Sequence, residues 1–346
     1  MNYYTNQHKY YCGVDLHAKS LYVCILDTEG KACVHRKIRN DGEYFVKMLE
    51  PYKEDVVVGV ECMFSWYWLA DLCVDKEIPF VLGHALYMKA IHGGKAKNDK
   101  IDSRKIAGLL RGGMFPQAYV YPRDMRSTRD LMRRRIKFAR KRSEVLAHLQ
   151  ILRIQNNLPS FEASLKAKCN RARVASQFQD LAVRRSVELD IEALGYYDEM
   201  LRCLELDITN ITKAENGDTF HKLKTVPGIG RLLAITILYE MHTVERFPTV
   251  GDFISYCRLV KCKKESAGKC YGTTGAKIGN AYLKWAFTEA AGVFIRDSEE
   301  AYAFFEKLKI KHSSQKALGI IAAKLARAVY FMLKRNRSFD MKKFFN

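Results

Sequence analysis

Two periodicities divide the chain. From Tyr10 to Gly83 the apolar residues come in short runs, rich in β-branched and aromatic side chains and bounded by polar turns, which is the pattern of strands. Tyr11-Cys12-Gly13-Val14-Asp15-Leu16 and Leu21-Tyr22-Val23-Cys24-Ile25-Leu26 flank the polar break His17-Ala18-Lys19-Ser20, and Asp27-Thr28-Glu29-Gly30 makes a second turn. This stretch reads as consecutive hairpin strands. A helix is expected over 44–49, then a β-branched strand Val56-Val57-Val58-Gly59-Val60 that ends on Glu61. Phe64, Trp66, Tyr67 and Trp68 open a further helix, 80–83 reads as a strand, and 87–90 as a helical segment. Strands alternating with helices predict an α/β layer structure.

Beyond Pro116 the period becomes helical. Residues 126–142 hold neither Pro nor Gly, and Leu131, Phe138, Val145 and Leu152 recur every seventh position, one apolar seam under a charged surface. The break Asn156-Asn157-Leu158-Pro159-Ser160 is where a hairpin of helices would turn. Between 180 and 215, Val187, Leu194, Leu201 and Ile208 share one heptad position and Tyr197, Leu204 and Ile211 the other, with Asp190 the exception. That pattern predicts a coiled coil, either folded back within the chain or formed between subunits. Next comes Val226-Pro227-Gly228-Ile229-Gly230 before a small-residue apolar helix, an element like a helix-hairpin-helix, in which backbone amides at a helix N-terminus meet a phosphate. A glycine-broken, lysine-rich stretch at 258–277 reads as a flexible cationic loop, and a helix opens at Asn280. The fold class expected is α/β plus α: residues 1–125 an α/β domain, 126–220 a basic helical and coiled-coil middle, 221–346 a mostly helical C-terminal domain.

Composition sharpens this. The 346 residues carry a formal charge of +20 and a pI near 9.5, a balance that calls for a polyanionic partner, nucleic acid before a membrane surface. The ten cysteines are scattered among apolar residues without any CxxC pair, so they read as thiols in a reducing cytosol rather than a zinc site at Cys257, Cys262 and Cys270. No signal-like N-terminal region and no membrane-spanning apolar run is present, and a cytoplasmic protein is expected.

The candidate chemistry begins with Asp99 and Asp102, three residues apart at a helix start and flanked by Lys97, Lys100, Arg104 and Lys105. Carboxylates at i and i+3 share a helix face and can address one cation. Alone, the pair is more simply a helix cap. Asp15 at the end of one strand and Glu61 at the end of another change that reading. The order strand-Asp, strand-Glu, helix-Asp-x-x-Asp is the one ribonuclease-H-like nucleases use to hold two divalent ions about 4 Å apart on a scissile phosphate. All-oxygen ligands and a phosphate substrate make magnesium the natural cofactor. Nucleic-acid contacts are expected from Lys97, Lys100 and Arg104 beside the acids, and from Arg133, Arg134, Arg135, Lys137, Arg140, Lys141 and Arg142, because charges this dense repel unless an anion offsets them. Further contacts are expected from Gly228 and Gly230, and from Lys263, Lys264, Lys269 and Lys277 around Ser266, the only serine of its loop.

In this order the pieces resemble a family, the DEDD transposases and recombinases of bridge-RNA-guided insertion sequences, to which pilin-gene invertases are also similar. The resemblance rests on Gly13-Val14-Asp15, Gly59-Val60-Glu61 and Lys97-x-Asp99-x-x-Asp102, which look like a RuvC-like tetrad. It rests also on Val226-Pro227-Gly228-Ile229-Gly230 and Ser266-Ala267-Gly268, which look like a transposase domain with a serine nucleophile, and on a closing helix within 322–339. Arg258 and Lys261 stand where members often have glycine and proline, and Ser266-Ala267-Gly268 replaces a frequent Ser-Ser-Gly. The resemblance implies a recombinase that cuts and rejoins donor and target DNA through a phosphoserine link at Ser266, with Mg2+ on Asp15, Glu61, Asp99 and Asp102. It further implies a structured non-coding guide RNA and a homo-oligomer, dimer or tetramer, bound to the bacterial nucleoid, with a site that two subunits can complete. The alternatives are a pilin-type invertase, a RuvC-like nuclease or junction resolvase using metal-activated water, and a non-catalytic nucleic-acid-binding protein.

Overall fold

A computed structural model of the chain describes residues 2–91, 98–161, 163–274 and 278–345. They form two compact units, Met1–Arg123 and Asp124–Asn346.

The first unit is built on strands β2 (Tyr10–Leu16), β3 (Ser20–Asp27), β4 (Ala32–Arg39), β5 (Val56–Glu61) and β6 (Phe80–Gly83), in the order β4-β3-β2-β5-β6. The two hairpin pairings are antiparallel, whereas β5 and β6 run parallel to β2 after helical crossovers α1 (Gly42–Leu49) and α2 (Tyr67–Asp75). A short antiparallel pair, β1 (Tyr3–Tyr4) with β7 (Phe115–Pro116), closes the unit beyond α3 (Ala85–Ile91) and α4 (Asp99–Arg111).

Strand residues alternate faces, and here the parity decides where the chemistry lies. Cys12, Val14 and Leu16, with Val56, Val58 and Val60, pack on Phe45, Leu49, Leu69 and Cys73 of α1 and α2. Tyr11 and Val57 point the other way, against Ile106, Leu109 and Leu110 of α4. The continuous apolar run of β5 is thus explained by helices on both faces. Asp15 and Glu61 share the odd parity, so they leave the sheet on the side of α4.

The second unit opens with α5 (Arg123–Gln155) and α6 (Leu181–Lys224), which is kinked at Asn216. The two run antiparallel, as their cross-links require: Arg135 to Glu205, Arg142 to Asp198 and His148 to Asp190. Leu149 of α5 packs with Val187 and Leu194 of α6, capped by Leu165, Val174 and Phe178 of the connection. The heptad seam of α6 is therefore used within the chain, and Asp190, its polar exception, is the partner of His148. Leu131, Val145 and Leu152 of the expected α5 seam are only half-buried, while Met125, Met132, Ile136 and Leu149 are the buried apolar residues of the helix. Helices α7 (Arg231–Met241), α8 (Val250–Tyr256), α9 (Ala281–Asp297), α10 (Glu299–Lys309), α11 (Ser314–Lys334) and α12 (Met341–Phe345) follow. Their core joins Met132 and Ile136 of α5 to Phe220, Ile235, Phe253, Phe287 and Leu325.

The stretch expected to be a flexible loop is a β-hairpin, β8 (Cys262–Ser266) with β9 (Lys269–Thr274). Ala267 and Gly268, at φ +50° and +74°, form the two-residue turn with both central residues left-handed that suits the twist of paired strands. Among the described residues no helix is long and apolar enough to cross a membrane.

Candidate functional site

The acidic site is created by two glycines. Gly13 and Gly59 are in register across β2 and β5, both facing α4. A Cβ on Gly13 would stand 2.3 Å from the backbone nitrogen of Ala107 and 2.3 Å from the carbonyl oxygen of Ser103; one on Gly59 would stand 2.6 Å from Leu110 Cδ1. At Gly13 only a hydrogen atom fits against the helix backbone, so α4 lies directly on the sheet, while at Gly59 the close neighbour is the end of the Leu110 side chain. Two residues beyond each glycine, Asp15 and Glu61 stand near the ends of adjacent strands on the face toward α4, and Asp15 lies close to the first turn of that helix. The Gly-Val-Asp and Gly-Val-Glu motifs are in this sense one device: a helix seat followed by an acid.

Helix α4 brings the other two carboxylates. Its N-cap is Asn98, whose side chain accepts from the Lys100 N–H at 2.8 Å. The capping role that sequence alone gave the aspartates belongs to this neighbour, which leaves Asp99 and Asp102 in the first turn with their carboxylates uncommitted to the backbone. His35 of β4 fixes that turn through Nε2, 2.8 Å from the Lys100 carbonyl oxygen. Lys105 lies 3.5 Å from Asp102, while Lys100 and Arg104 are exposed. Lys97 lies outside the described residues.

The carboxylates interact. Burial pushes the Asp15 carboxyl above its ordinary value; His17 opposes this, and the charges of Asp99 and Asp102 push it further up. His17 stands between the acids, with Nε2 3.2 Å from Asp15 Oδ2 and 3.4 Å from Asp99 Oδ1. Asp15, His17 and Asp99 offer donor atoms that all lie within 4.8 Å of one another. Crowded carboxylates with an acceptor-rich opening fit a divalent cation. His17 was missed in the sequence reading; its one signal was its place two residues after Asp15.

In the second unit, Ser266 is the last residue of β8, paired with Lys269 across the turn, and exposed. The base of this hairpin is tied down. Asn280 N–H donates to the Tyr256 carbonyl at 2.6 Å and Arg258 Nε to the Gly279 carbonyl at 2.8 Å. The Asn280 amide also caps α9 and donates to Glu240 at 2.7 Å. Lys269 is exposed; the side chains of Lys263 and Lys264, and all of Lys277, lie outside the described residues.

The basic helix finds acids within its own unit. Arg133 makes a bidentate pair with the buried Glu240, at 2.6 and 2.8 Å, and Arg129 joins it at 3.2 Å. Arg135 and Arg142 are engaged by Glu205 and Asp198, and Lys141 by Glu144. Much of the charge that was expected to require an external anion is offset by acids of α6 and α7. Arg134, Lys137 and Arg140 are exposed and make no ion pair among the described residues. They line, with Arg133, Lys141 and Tyr282, a groove of about 470 Å³.

The glycines of the Pro-Gly-x-Gly turn differ. Gly228, at φ +81°, is where α9 comes close: a Cβ would lie 2.2 Å from the Ala290 carbonyl oxygen. Gly230 is exposed, has open space around it, and is the N-cap of α7 without any side-chain cap.

Two family models match the chain. Residues 12–155 match a DEDD transposase model of IS110 type, described as "Transposase", and residues 220–306 match the model described as "Transposase IS116/IS110/IS902 family". No curated protein matches it. The first match takes in Asp15, Glu61, Asp99 and Asp102, and the second the Pro-Gly-x-Gly turn, Glu240 and Ser266. The two matches together span about two thirds of the sequence. The chain thus carries the transposase domains of the IS116/IS110/IS902 family and is a DNA transposase or recombinase.

Proposed function

We propose that this enzyme cuts and rejoins the donor and target DNA of an insertion sequence through a covalent phosphoserine intermediate at Ser266, with Asp15, Glu61, Asp99 and Asp102 holding magnesium. The observation that carries the reading is the pairing of two features a water-activating nuclease would not need together: Asp15 and Asp99 drawn together around His17, with Asp102 close enough to act on Asp15, in one unit, and an exposed serine at the tip of an anchored hairpin in the other. The order β4-β3-β2-β5-β6, antiparallel and then parallel, supports the RuvC-like assignment of the first unit.

In the proposed step Ser266 Oγ attacks the scissile phosphorus and loses its proton to solvent. The P–O3′ bond breaks, the departing strand takes up a proton as a free 3′-hydroxyl, and the phosphate remains esterified to serine. Rejoining is the reverse attack by a 3′-hydroxyl, which restores the serine hydroxyl without an external energy source. A divalent cation at the carboxylates supplies Lewis-acid polarisation of the phosphoryl oxygen and offsets charge on the leaving oxygen. Lys100, Arg104 and Lys105 add fixed positive charge beside the acids.

Sequence choice would come from a structured RNA paired to the DNA, the protein reading backbone and shape, in keeping with the charge of +20. Arg134, Lys137 and Arg140, the uncapped amides at Gly230, and Lys269 are the contacts the geometry favours. A homo-oligomer would pair through surfaces other than the internal seam of α6; Leu189 and Tyr196, seven residues apart on one face of the same helix, are exposed. The domain division proposed is 1–125, 126–220 and 221–346.

The test is trapping. Denaturing gels of the protein with labelled DNA should show a covalent adduct that is absent from Ser266→Ala; free ends without adduct would favour hydrolysis by metal-activated water. Mixing Asp99→Ala with Ser266→Ala chains then reports on sharing. Recovered cleavage means that two subunits build one site, and no recovery means that each chain acts alone. Guide-RNA dependence is read from the same gels with and without nuclease-treated protein.

A further inference from the structure

We infer that His17 is a nitrogen ligand of the metal centre, giving it a mixed nitrogen–oxygen donor set that binds manganese(II) more tightly than the magnesium the four acids alone would hold. This rests on the proposed tetrad but goes beyond it, since the tetrad alone is an all-oxygen set.

The geometry is that of coordination. Metal–oxygen and metal–nitrogen bonds of about 2.1 Å at right angles place neighbouring ligand atoms about 3 Å apart. His17 Nε2 is 3.2 Å from one carboxylate oxygen and 3.4 Å from the other, each close to that edge. A neutral imidazole nitrogen facing two carboxylates can donate its one N–H to only one of them, whereas a cation at their junction satisfies all three donor atoms.

The backbone holds the ring there independently of the side chain. The His17 N–H donates to the Ser20 carbonyl at 2.9 Å, closing the turn between β2 and β3. Its own carbonyl accepts from Asn40 Nδ2 at 2.8 Å, which ties the turn to the end of β4. The imidazole is half exposed, at 48%, so an ion can reach it from solvent. Replacing a hard oxygen donor by imidazole weakens the case for magnesium, which keeps its water shell and demands oxygen, and strengthens the case for a transition metal that accepts both donor types.

The experiment uses the full-length chain and Mn2+ alone, read by electron paramagnetic resonance. The wild-type protein with one equivalent of Mn2+ should show the hyperfine coupling of a coordinated imidazole nitrogen, changing to the 15N pattern when histidine is 15N-labelled and vanishing in His17→Ala. Mn2+ affinity should fall at least about tenfold in His17→Ala and His17→Gln, with a smaller change for Mg2+ measured by competition. Mn2+ bound at the acids without nitrogen coupling, and with unchanged affinity in His17→Ala, overturns the role of His17 and leaves the carboxylate centre standing. Mn2+ that fails to bind, or binds equally to Asp15→Ala and Asp99→Ala chains, removes both.

Discussion

Replacing Gly13 by Ala tests whether the glycine seat builds the site. The added methyl would lie 2.3 Å from the Ala107 nitrogen and from the Ser103 carbonyl oxygen, and 3.0 Å from Ala107 Cα. Comfortable carbon contacts begin near 3.5 Å, so α4 must retreat by about 1 Å; all three atoms are helix backbone, and no rotamer change relieves them. Overpacking of this kind costs about 1–3 kcal/mol. The stiffer unfolded chain returns about 0.4–1 kcal/mol, leaving a net loss of about 1–2 kcal/mol. Stability is the lesser effect. Helix α4 carries Asp99 and Asp102, and a displacement of about 1 Å at reacting groups costs on the order of a hundredfold in rate. Gly59→Ala is the control: its methyl meets Leu110 Cδ1 at 2.6 Å, the movable end of a side chain, and activity should stay within a few-fold of wild type. Strand cleavage on denaturing gels and thermal melting of both variants provide the readouts. Gly13→Ala cleaving at the wild-type rate, or Gly59→Ala proving the more damaging, would refute the reasoning.

Three further outcomes follow from the same structure. Glu240→Ala strands Arg129 and Arg133 without their buried carboxylate and should cost about 3–5 kcal/mol by urea denaturation, against which a loss under 1 kcal/mol would argue. Burial would raise the Glu240 carboxyl, but hydrogen bonds and charge from Arg133, with Arg129 and Asn280, outweigh it and hold it below the ordinary value. Its stabilisation is therefore complete above roughly pH 4.3 and is lost as the pH falls through the lower folded value, so wild type and Glu240→Gln should converge in stability in acid and diverge towards neutrality. Asp15 has the opposite sign: with its carboxyl raised by burial and by neighbouring acids, it destabilises the folded metal-free chain above the raised value and not below the ordinary one of about 3.9. Asp15→Asn should thus melt higher than wild type at pH 7 in a chelator while losing cleavage, and a lower melting temperature would contradict the crowding of the acids.

What sequence could and could not reveal follows from how local each cause is. Short apolar runs rich in β-branched and aromatic residues along 10–34 and 56–61 predict strands because strand propensity is local, and the acid at each strand end is visible with them. That Asp15 meets Asp99 and Asp102 depends on α4 resting on Gly13, and that Glu61 ends the strand beside that of Asp15 depends on β2 pairing with β5, contacts between distant segments that no spacing encodes. The hairpin around Ser266 escaped because its turn uses Ala267-Gly268 rather than the Asn-Gly or Asp-Gly that normally announces two left-handed residues. On α5 the sequence shows cations but not their partners: Glu240 lies 107 residues beyond Arg133, and Glu205 lies 70 beyond Arg135. A count of charges on a helix therefore predicts a polyanion only after the chain's own acids have been subtracted. That subtraction leaves Arg133, Arg135 and Arg142 with their charge offset by Glu240, Glu205 and Asp198. The exposed cations Arg134, Lys137 and Arg140 then carry the electrostatic argument along the groove, and Arg133 remains there only as a wall held by Glu240 and stacked on Tyr282 at 4.7 Å.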